Sequence, residues 1–385
     1  MKIASIKARA IDCGFQAQKL QTSRVASPMA RWPQFGEKRS SWMWPTKKVF
    51  VRIETTEGAV GWSCTNGGEI VAMIVEQHLS RLVTGTVVTD IADVWDQMFN
   101  SLLPCDRSGF SMMAVAGVDI ALWDLQAKTT GKSLVDTLGG GPKDLAVYCT
   151  TPQPEAHSGG EWWGLKAAMP FGPEAGDRGL ADNVAYLAQF RDATGPQGRI
   201  MLDSFMAWDA DYTLRFADAA QAQDIYWIED PLPPYDLQGM RQLKAALGNS
   251  SRLALGNFCF TRWDCEALIR EGLVDILQPD VAWAGGITEC LRILDMAAAA
   301  EVPVILHNTC EQPWSLAMAA ARQTDPVVEF VDRGQDSPLY GLMGLAPQFG
   351  NGRVAVPSDP AGNQPPAAIA SQFPGLGAAQ MMKEV

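Results

Sequence analysis

Short apolar runs that each end in a polar residue recur at a nearly regular interval through the second half of the chain. The residues that end these runs are Asp203, Glu229, Asn257, Asp280, His307 and Glu329. Successive members lie 22 to 28 residues apart, which is about what one strand, one helix and two loops need in an eight-unit barrel. The runs are apolar throughout, as expected for parallel strands covered on both faces. The pattern therefore predicts an α/β barrel.

The intervals between the runs carry helical periodicity. Two further strands are predicted upstream, at Ala146–Thr150 and Trp163–Lys166, so that the barrel spans residues 141–345. Helices are predicted at 179–194, 209–222, 236–247, 262–272, 286–300 and 314–322. Barrel enzymes keep their catalytic groups at the C-terminal ends of the strands. The polar residues that end the runs are therefore the candidate site.

The first 140 residues follow a different pattern. Lys2–Asp12 alternates as a strand does, and Lys48–Trp62 reads as a hairpin. Helical patterns follow at 70–84, 89–103 and 108–130. Strands followed by helices are typical of an α+β domain, which we predict for residues 1–140.

Two segments carry no regular periodicity. Residues 16–46 are polar and contain three prolines, and loops of that length inside a compact domain are usually functional. Residues 346–385 are rich in Gly, Pro and Ala. Such a tail must pack on something to be ordered, and we predict that it packs back on the N-terminal domain.

Composition narrows the class of protein. Of 385 residues 47% are apolar and the net charge is -12, so no nucleic-acid or anionic membrane partner is expected. The N-terminus alternates charged and apolar residues, unlike a signal peptide, and the apolar runs look shorter than a membrane span. Eight Cys occur without a Cys-x-x-Cys pair, as in reduced cytosolic proteins. We predict a cytoplasmic protein.

Asp203, Glu229 and Asn257 end three consecutive strands and are candidate metal ligands. Adjacent strands lie about 4.8 Å apart, so these side chains can converge on one cation. Carboxylate and amide oxygens suit Mg²⁺. The alternative is that they cap the following helices, but Glu is not a preferred N-cap residue, and three positions at a matched interval favour the metal.

Asp280 and His307 end the next two strands. A carboxylate beside one imidazole nitrogen fixes the tautomer and raises the basicity, which makes His307 a candidate general base. The alternative for a lone histidine is a structural role. Glu329 ends the last strand and is a third candidate catalytic residue, through a hydrogen bond to substrate; a helix-cap or salt-bridge role is equally open.

Two cations are candidates for substrate binding. Lys166 ends the second barrel strand and could neutralise a substrate carboxylate or act as a second base. Arg39 lies in the long N-terminal loop and could reach an anionic substrate, although a solvent-exposed arginine is the simpler reading.

Several motifs resemble the enolase superfamily, mandelate racemase subgroup, and within it the L-rhamnonate dehydratase-like acid-sugar dehydratases. They are Ser27–Met29, Glu76–Leu79, Trp95–Met98, Val118–Asp124, Trp227–Pro231, Gln278–Val281 and Gly285–Glu289. The resemblance covers nearly the whole chain. It implies a modified (β/α)7β TIM barrel with an N-terminal α+β capping domain that the C-terminal tail completes.

The resemblance also implies roles for single residues. Asp203 and Glu229 would bind Mg²⁺, Asp280 and His307 would form a general acid/base dyad, and Arg39 would contact an acid sugar. The third ligand of the family is a carboxylate, whereas this chain has Asn257, so weaker Mg²⁺ binding is expected. The loop at 16–30 also lacks a histidine expected in a rhamnonate dehydratase.

The implied activity is dehydration of a sugar acid. His307 would remove the proton α to the carboxylate, an enediolate would form, and loss of the 3-hydroxyl would give a 2-keto-3-deoxy acid. Two alternatives remain: a racemase or epimerase of a 2-hydroxy acid with Lys166 as the second base, and a catalytically weakened sugar-acid-binding barrel. A homo-oligomer is expected, because barrels of this group are commonly symmetric assemblies.

Overall fold

The computed structural model describes residues 1–13, 25–34, 47–333, 339, 341–344 and 347–373. Most of the predicted loop at 16–46, with Arg39, lies outside these residues. The part of it that is described contains a short 3₁₀ helix, Pro28–Arg31. The Ala26 N–H donates to the Met169 carbonyl at 2.7 Å, which places this part of the loop against the barrel, just beyond its second strand.

The N-terminal domain is a three-stranded antiparallel sheet packed against helices. Its strands, in the order β1-β2-β3, are β1 (Ile3–Ile11), β2 (Lys48–Thr55) and β3 (Val60–Thr65). Its helices are α1 (Gly68–Ile74), a π-helical turn (Val75–Leu79), α2 (Ser80–Val83), α3 (Ile91–Leu102), α4 (Phe110–Thr130) and α5 (Leu134–Thr137). The domain thus has the predicted α+β composition.

Helix α4 is apolar on most of its faces because it is a core element. It packs on β2 and β3, and Gly117 allows the close approach, since a Cβ there would meet Val51 and Thr65 at about 3.0–3.1 Å. By length and composition this helix could cross a membrane, which the sequence pattern did not suggest, but 83% of its most apolar window is buried in the fold. Burial accounts for its composition.

The barrel strands are parallel and close into a ring. They are β4 (Asp144–Thr150), β5 (Gly164–Ala168), β6 (Ile200–Asp203), β7 (Ile225–Glu229), β8 (Arg252–Leu255), β9 (Ile276–Leu277) and β10 (Val327–Val331). Each pairs with the next from β4 to β9, and β10 pairs with β4.

The seventh position of the ring, predicted as a strand over Val302–His307, is reduced to one bridge between Leu277 and Val304. Pro303 has no N–H to donate, but its carbonyl accepts from the Leu277 N–H at 2.8 Å. The Ile305 N–H in turn donates to the Leu277 carbonyl at 2.9 Å. The segment is therefore held in register by very few backbone bonds.

Six helices surround the ring, each within a few residues of its predicted range. They are α6 (Gly176–Thr194), α7 (Ala210–Ala219), α8 (Leu237–Leu247), α9 (Arg262–Arg270), α10 (Ile287–Ala299) and α11 (Pro313–Arg322). Two of them start at an Asp whose side chain accepts from the first turn, at Asp209 and Asp236. Asp is a preferred N-cap, so these starts are encoded locally.

The C-terminal tail contacts both domains. The hairpin β11 (Gln348–Gly350) and β12 (Arg353–Ala355) adds to the barrel through β4, and α12 (Ala367–Ala370) follows. Between β12 and α12, Asn363 contacts the N-terminal domain. Its N–H donates to Asp124 at 2.8 Å, and its side chain donates to the Trp62 carbonyl at 3.0 Å. The described part of the tail therefore contacts the N-terminal domain through Asn363, and the hairpin on the barrel was not predicted.

The two domains are joined through the segment that follows Asp280. Trp95 Nε1 donates to the Gly285 carbonyl at 2.7 Å, and the Thr288 N–H donates to Asp119 at 2.9 Å. Gly286 has φ 97°, and a Cβ there would lie 2.4 Å from Asp119 Oδ2, so only glycine fits. These contacts with the N-terminal domain form a clamp on residues 282–288.

Candidate metal centre and catalytic dyad

The predicted site residues that end or follow the barrel strands lie around the C-terminal rim of the barrel, whereas Arg39 lies outside the described residues. Asp203 and Glu229 are the last residues of β6 and β7 and are directly paired in register. Asn257 and Asp280 lie two and three residues beyond β8 and β9. Glu329, predicted to end its strand, is the middle residue of β10. It therefore lies deeper in the barrel than predicted, because the apolar run continues through Val331.

Glu229 is fully buried and its carboxylate has several partners. Oε1 accepts from Lys166 Nζ at 2.7 Å, and Oε2 accepts from Trp227 Nε1 and Gln278 Nε2, both at 3.1 Å. Asp203 accepts from the Phe205 N–H at 2.8 Å. Burial raises the pKa of Glu229 to about 7 against the opposing charge of Lys166. Gln278 was not predicted as a site residue, because the polar residue predicted to end this run is Asp280.

Asp230 joins this pair and was not predicted. Ligand oxygens of Asp203, Glu229 and Asp230 all lie within 4.8 Å of one another. Burial and the charges of Glu229 and Asp203 raise the pKa of Asp230 well above its ordinary value. Strand alternation directs a residue that follows an inward-facing one to the other face. The sequence pattern therefore gave no signal for Asp230.

Asn257 follows β8, the strand that pairs with β7 in the barrel. Asn257 is 2% exposed, and its side-chain oxygen Oδ1 has no hydrogen-bond partner among the described residues. A buried carbonyl oxygen without a partner costs about 1–3 kcal/mol, and a hard cation would satisfy it. Three carboxylates and an amide carbonyl are an oxygen donor set of the kind that Mg²⁺ takes. The residues present therefore fit a divalent cation.

His307 and Asp280 form the predicted pair. His307 Nδ1 lies 2.8 Å from Asp280 Oδ2, and Nε2 has no hydrogen-bond partner within the described parts of the chain. Asp280 also accepts from the Ala282 N–H at 2.8 Å and from Gln312 Nε2 at 3.1 Å. Gln312, a second amide that was not predicted, is held by Trp314 Nε1 at 2.9 Å. The hydrogen bond at Nδ1 therefore orients the imidazole, and Nε2 is left without a partner among the described residues.

The protonation of His307 depends on its neighbours. Burial acts to lower the pKa of His307, but the hydrogen bond to Asp280 and the negative charges of Glu329 and Asp280 outweigh burial and raise it to about 9. A cation among the carboxylates would offset part of that negative charge. The imidazole pKa would then move towards the range in which a histidine acts as a base.

Lys166 and Glu329 form a buried ion-pair network with Glu229. Lys166 Nζ lies 2.7 Å from Glu229 and 2.8 Å from Glu329, and Lys166 is 1% exposed. Glu329 also accepts from Thr150 Oγ1 at 2.6 Å and from the Asn308 N–H at 2.8 Å. Lys166 was predicted to end its strand and to meet substrate at the rim. It is instead the middle residue of β5, and two carboxylates bind its ammonium. Its role in substrate binding stays a prediction, as does that of Arg39.

Asp280→Asn is expected to lower kcat by about 100-fold, within the range that general acid–base catalysis contributes. An asparagine amide can donate to Nδ1, which leaves the proton on Nε2 and blocks the base. Because Asp280 raises the pKa of His307, the acidic limb of the kcat/KM–pH profile should also move to lower pH. The measurement is steady-state kinetics against pH. An unchanged profile with normal kcat would remove Asp280 from the dyad.

Two family models match the chain. The model of the mandelate racemase/muconate lactonizing enzyme N-terminal domain matches residues 42–139, and the enolase C-terminal domain-like model matches residues 165–379. Together they cover most of the chain.

Individual proteins agree with these models. An L-rhamnonate dehydratase of Saccharopolyspora erythraea is 36% identical over 309 residues, which are 80% of this chain and 79% of the relative. The crystal structure of rhamnonate dehydratase from Gibberella zeae complexed with Mg superposes with a TM-score of 0.88 at 28% identity, over 96% of this chain and 95% of that one.

A more distant structure shares the fold. The L-talarate dehydratase from Polaromonas sp. JS666, complexed with Mg and L-glucarate, has a TM-score of 0.74 at 24% identity over 97% and 98% of the two chains. The resemblance and the fold class predicted from the sequence are thus confirmed. The chain belongs to the mandelate racemase/muconate lactonizing enzyme family of the enolase superfamily.

Proposed function

We propose that this protein is a Mg²⁺-dependent hydro-lyase that dehydrates a sugar acid, an aldonate similar to L-rhamnonate. The observation that carries the proposal is the oriented His307–Asp280 pair, with Nε2 open, on the same barrel rim as the carboxylates of Asp203 and Glu229. The likeness to L-rhamnonate dehydratase across four fifths of the chain supports the substrate class.

Asp203 and Glu229 would hold the cation, with the Asn257 carbonyl as a further oxygen. When bound, Mg²⁺ supplies positive charge at the substrate carboxylate and so favours the negative charge that develops there. Lys166 keeps Glu229 in place through the 2.7 Å ion pair, and Gln278 and Trp227 hold its other oxygen. The carboxylate is therefore positioned before any substrate arrives.

His307 acts first as base and then as acid. Nε2 takes the proton from C2 of the substrate, and Asp280 stabilises the imidazolium through Nδ1. The electron pair left at C2 is delocalised into the substrate carboxylate as an enediolate. The protonated Nε2 then donates to the departing 3-hydroxyl, so C2 loses a proton, C3 loses hydroxide and water leaves. The enol that remains ketonises to a 2-keto-3-deoxy acid.

The ion pairs of Lys166 bear on the alternative reactions. Racemisation or epimerisation at C2 needs a second base opposite His307. Lys166 Nζ is held by Glu229 and Glu329 at 2.7 and 2.8 Å, and both carboxylates stabilise its charged form, which cannot accept a proton. Within the described residues the dyad at His307 is thus the better supported base, and dehydration needs only one.

The proposal is tested by incubating the purified protein with a panel of sugar acids, with Mg²⁺ or with EDTA. We expect a 2-keto product from L-rhamnonate or a close aldonate, and about a 100-fold or greater loss of rate after chelation, since charge stabilisation by a metal contributes several kcal/mol. Deuterium at C2 of recovered substrate, with inversion and no keto product, would indicate an epimerase instead. Absence of product from the whole panel would overturn dehydration. Cytoplasmic location and homo-oligomeric assembly stay predictions.

A further inference from the structure

Asp230 is turned into the metal region by its backbone. It follows Glu229, the last residue of β7, and adopts φ 39°, a left-handed conformation that is unfavourable for most residues with a Cβ. Bonds from both neighbouring strand ends hold it there. Its N–H donates to the Ala254 carbonyl at 3.1 Å, and its carbonyl accepts from the Met206 N–H at 2.7 Å. The turn brings two successive acidic side chains to the same place.

The Asp230 carboxylate has an oxygen without a partner. The residue is 5% exposed, and Oδ2 is buried with no hydrogen bond to any described residue. Its ligand oxygen lies within 4.8 Å of those of Asp203 and Glu229. Burying a carboxylate in this way is unfavourable unless a charge compensates it, and buried charges are paired or coordinate metals. The nearby lysine, Lys166, is engaged by Glu229 and Glu329.

Asn257 provides the second, independent observation. It lies where the resemblance expects a third carboxylate ligand, and its buried Oδ1 also lacks a partner among the described residues. An amide carbonyl can ligate a hard cation but contributes no charge. A site of Asp203, Glu229 and Asn257 has two negative charges, whereas Asp230 raises the number to three.

We propose that Asp230 is a metal ligand in this protein, and that it supplies the third carboxylate that Asn257 lacks. The cation is bound by Asp203, Glu229 and Asp230, with Asn257 Oδ1 as a neutral oxygen ligand. The inference rests on the proposed function only for the identity of the ion as Mg²⁺. The donor set itself takes any hard divalent cation of similar size.

The test measures metal binding directly, without substrate. Mg²⁺ is titrated into the wild type and Asp230→Asn by calorimetry, and Mn²⁺ binding is followed by electron paramagnetic resonance. We expect Asp230→Asn to raise Kd at least about tenfold, equivalent to about 1.4 kcal/mol. Asp325→Asn is the matched control, because it removes one negative charge from an exposed residue before β10, at the opposite end of the barrel. Its Kd should stay within about twofold of wild type, since an exposed distant charge is largely screened.

A rescue variant separates ligation from a structural effect. Asp230→Asn combined with Asn257→Glu returns a third carboxylate at the neighbouring strand end, and we expect its Kd to return towards that of the wild type. If Asp230→Asn does not fold by circular dichroism, wild-type crystals soaked in Mn²⁺ give the answer. An anomalous peak about 2.2 Å from an Asp230 oxygen supports the inference, and a peak on Asp203 and Glu229 alone overturns it.

The outcomes distinguish this inference from the proposed function. Equal affinities of the wild type and Asp230→Asn would reject Asp230 as a ligand and leave dehydration standing. Binding that depends on Asp230, without keto product from any sugar acid, would reject the function and keep the ligand. No binding of either ion by the wild type would overturn both.

Discussion

Replacing His307 by asparagine is expected to lower kcat for dehydration by about 10³-fold or more, towards the upper part of what a general acid–base residue contributes. The same imidazole takes the C2 proton and returns a proton to the 3-hydroxyl, so both steps fail together. The measurement is keto-acid formation, with exchange of the C2 proton into deuterated solvent followed by NMR. Both signals should fall, because neither can occur without proton abstraction.

His78→Asn is the matched control for that variant. His78 lies in the π-helical turn of the N-terminal domain, where Nε2 is 2.9 Å from Ser101 Oγ, and it has no contact with the site residues among those described. Its replacement should leave kcat within about twofold, as for most substitutions away from a site. Exchange at C2 that persists in His307→Asn while keto product disappears would mean that another group abstracts the proton. His307 would then act only as the acid.

Lys166→Met is expected to destabilise the protein by about 3–5 kcal/mol, the cost of removing one partner from a buried ion pair. The substitution leaves Glu229 and Glu329 in a barrel interior that is nearly closed to solvent, and methionine fills the space without supplying charge. The measurement is the free energy of unfolding in urea at pH 7. Lys166→Met combined with Glu329→Gln should recover part of the loss, because one of the unpaired charges is also removed.

Lys244→Met provides the comparison for a pair that water can reach. Lys244 Nζ lies 2.6 Å from Asp275, and the two side chains are 24% and 29% exposed. Its loss should cost no more than about 1 kcal/mol, as is typical of pairs near the surface. Equal losses in Lys244→Met and Lys166→Met would contradict the importance assigned to burial.

The pH dependence of the Lys166→Met effect follows from Glu329. Burial acts to raise the pKa of Glu329, but Lys166 and His307 outweigh it and lower the pKa from 4.5 to about 2. In the wild type, Glu329 therefore contributes stability that is present above pH 4.5 and is lost as pH falls through about 2. Without Lys166 the pKa rises, so the folded variant binds the proton more readily. Its deficit relative to the wild type should shrink from pH 7 to pH 5.

The barrel could be predicted from the sequence because its signals are local and repeated. Each helix of the ring shows its own period, and two begin at aspartates that cap them. The segment Val302–His307 has the composition of a strand but forms only one bridge. Pairing depends on which N–H and carbonyl groups face a neighbour, and Pro303 removes one donor there. Composition alone does not carry that information.

The site could be predicted only in part, for a related reason. Asp203, Glu229 and His307 end apolar runs, so the period of the barrel indicates their common rim. The position of the Asp230 side chain beside Asp203 and Glu229 depends on a backbone angle of φ 39°. Regular strand alternation would direct that side chain to the other face. The ion pair of Lys166 with Glu329 joins residues 163 positions apart, on the two strands that flank β4. Such pairings arise from closure of the barrel and leave no trace in a local pattern.

The clamp on residues 282–288 has a consequence for exchanging domains between relatives. Trp95 and Asp119 of the N-terminal domain hold Gly285 and Thr288, and this segment begins two residues after Asp280. A chimaera that takes its N-terminal half from another family member would therefore need to bring a compatible 282–288 segment with it. Otherwise a mismatched segment would displace Asp280, the carboxylate that orients His307. A chimaera made to change substrate preference would then turn over its substrate more slowly.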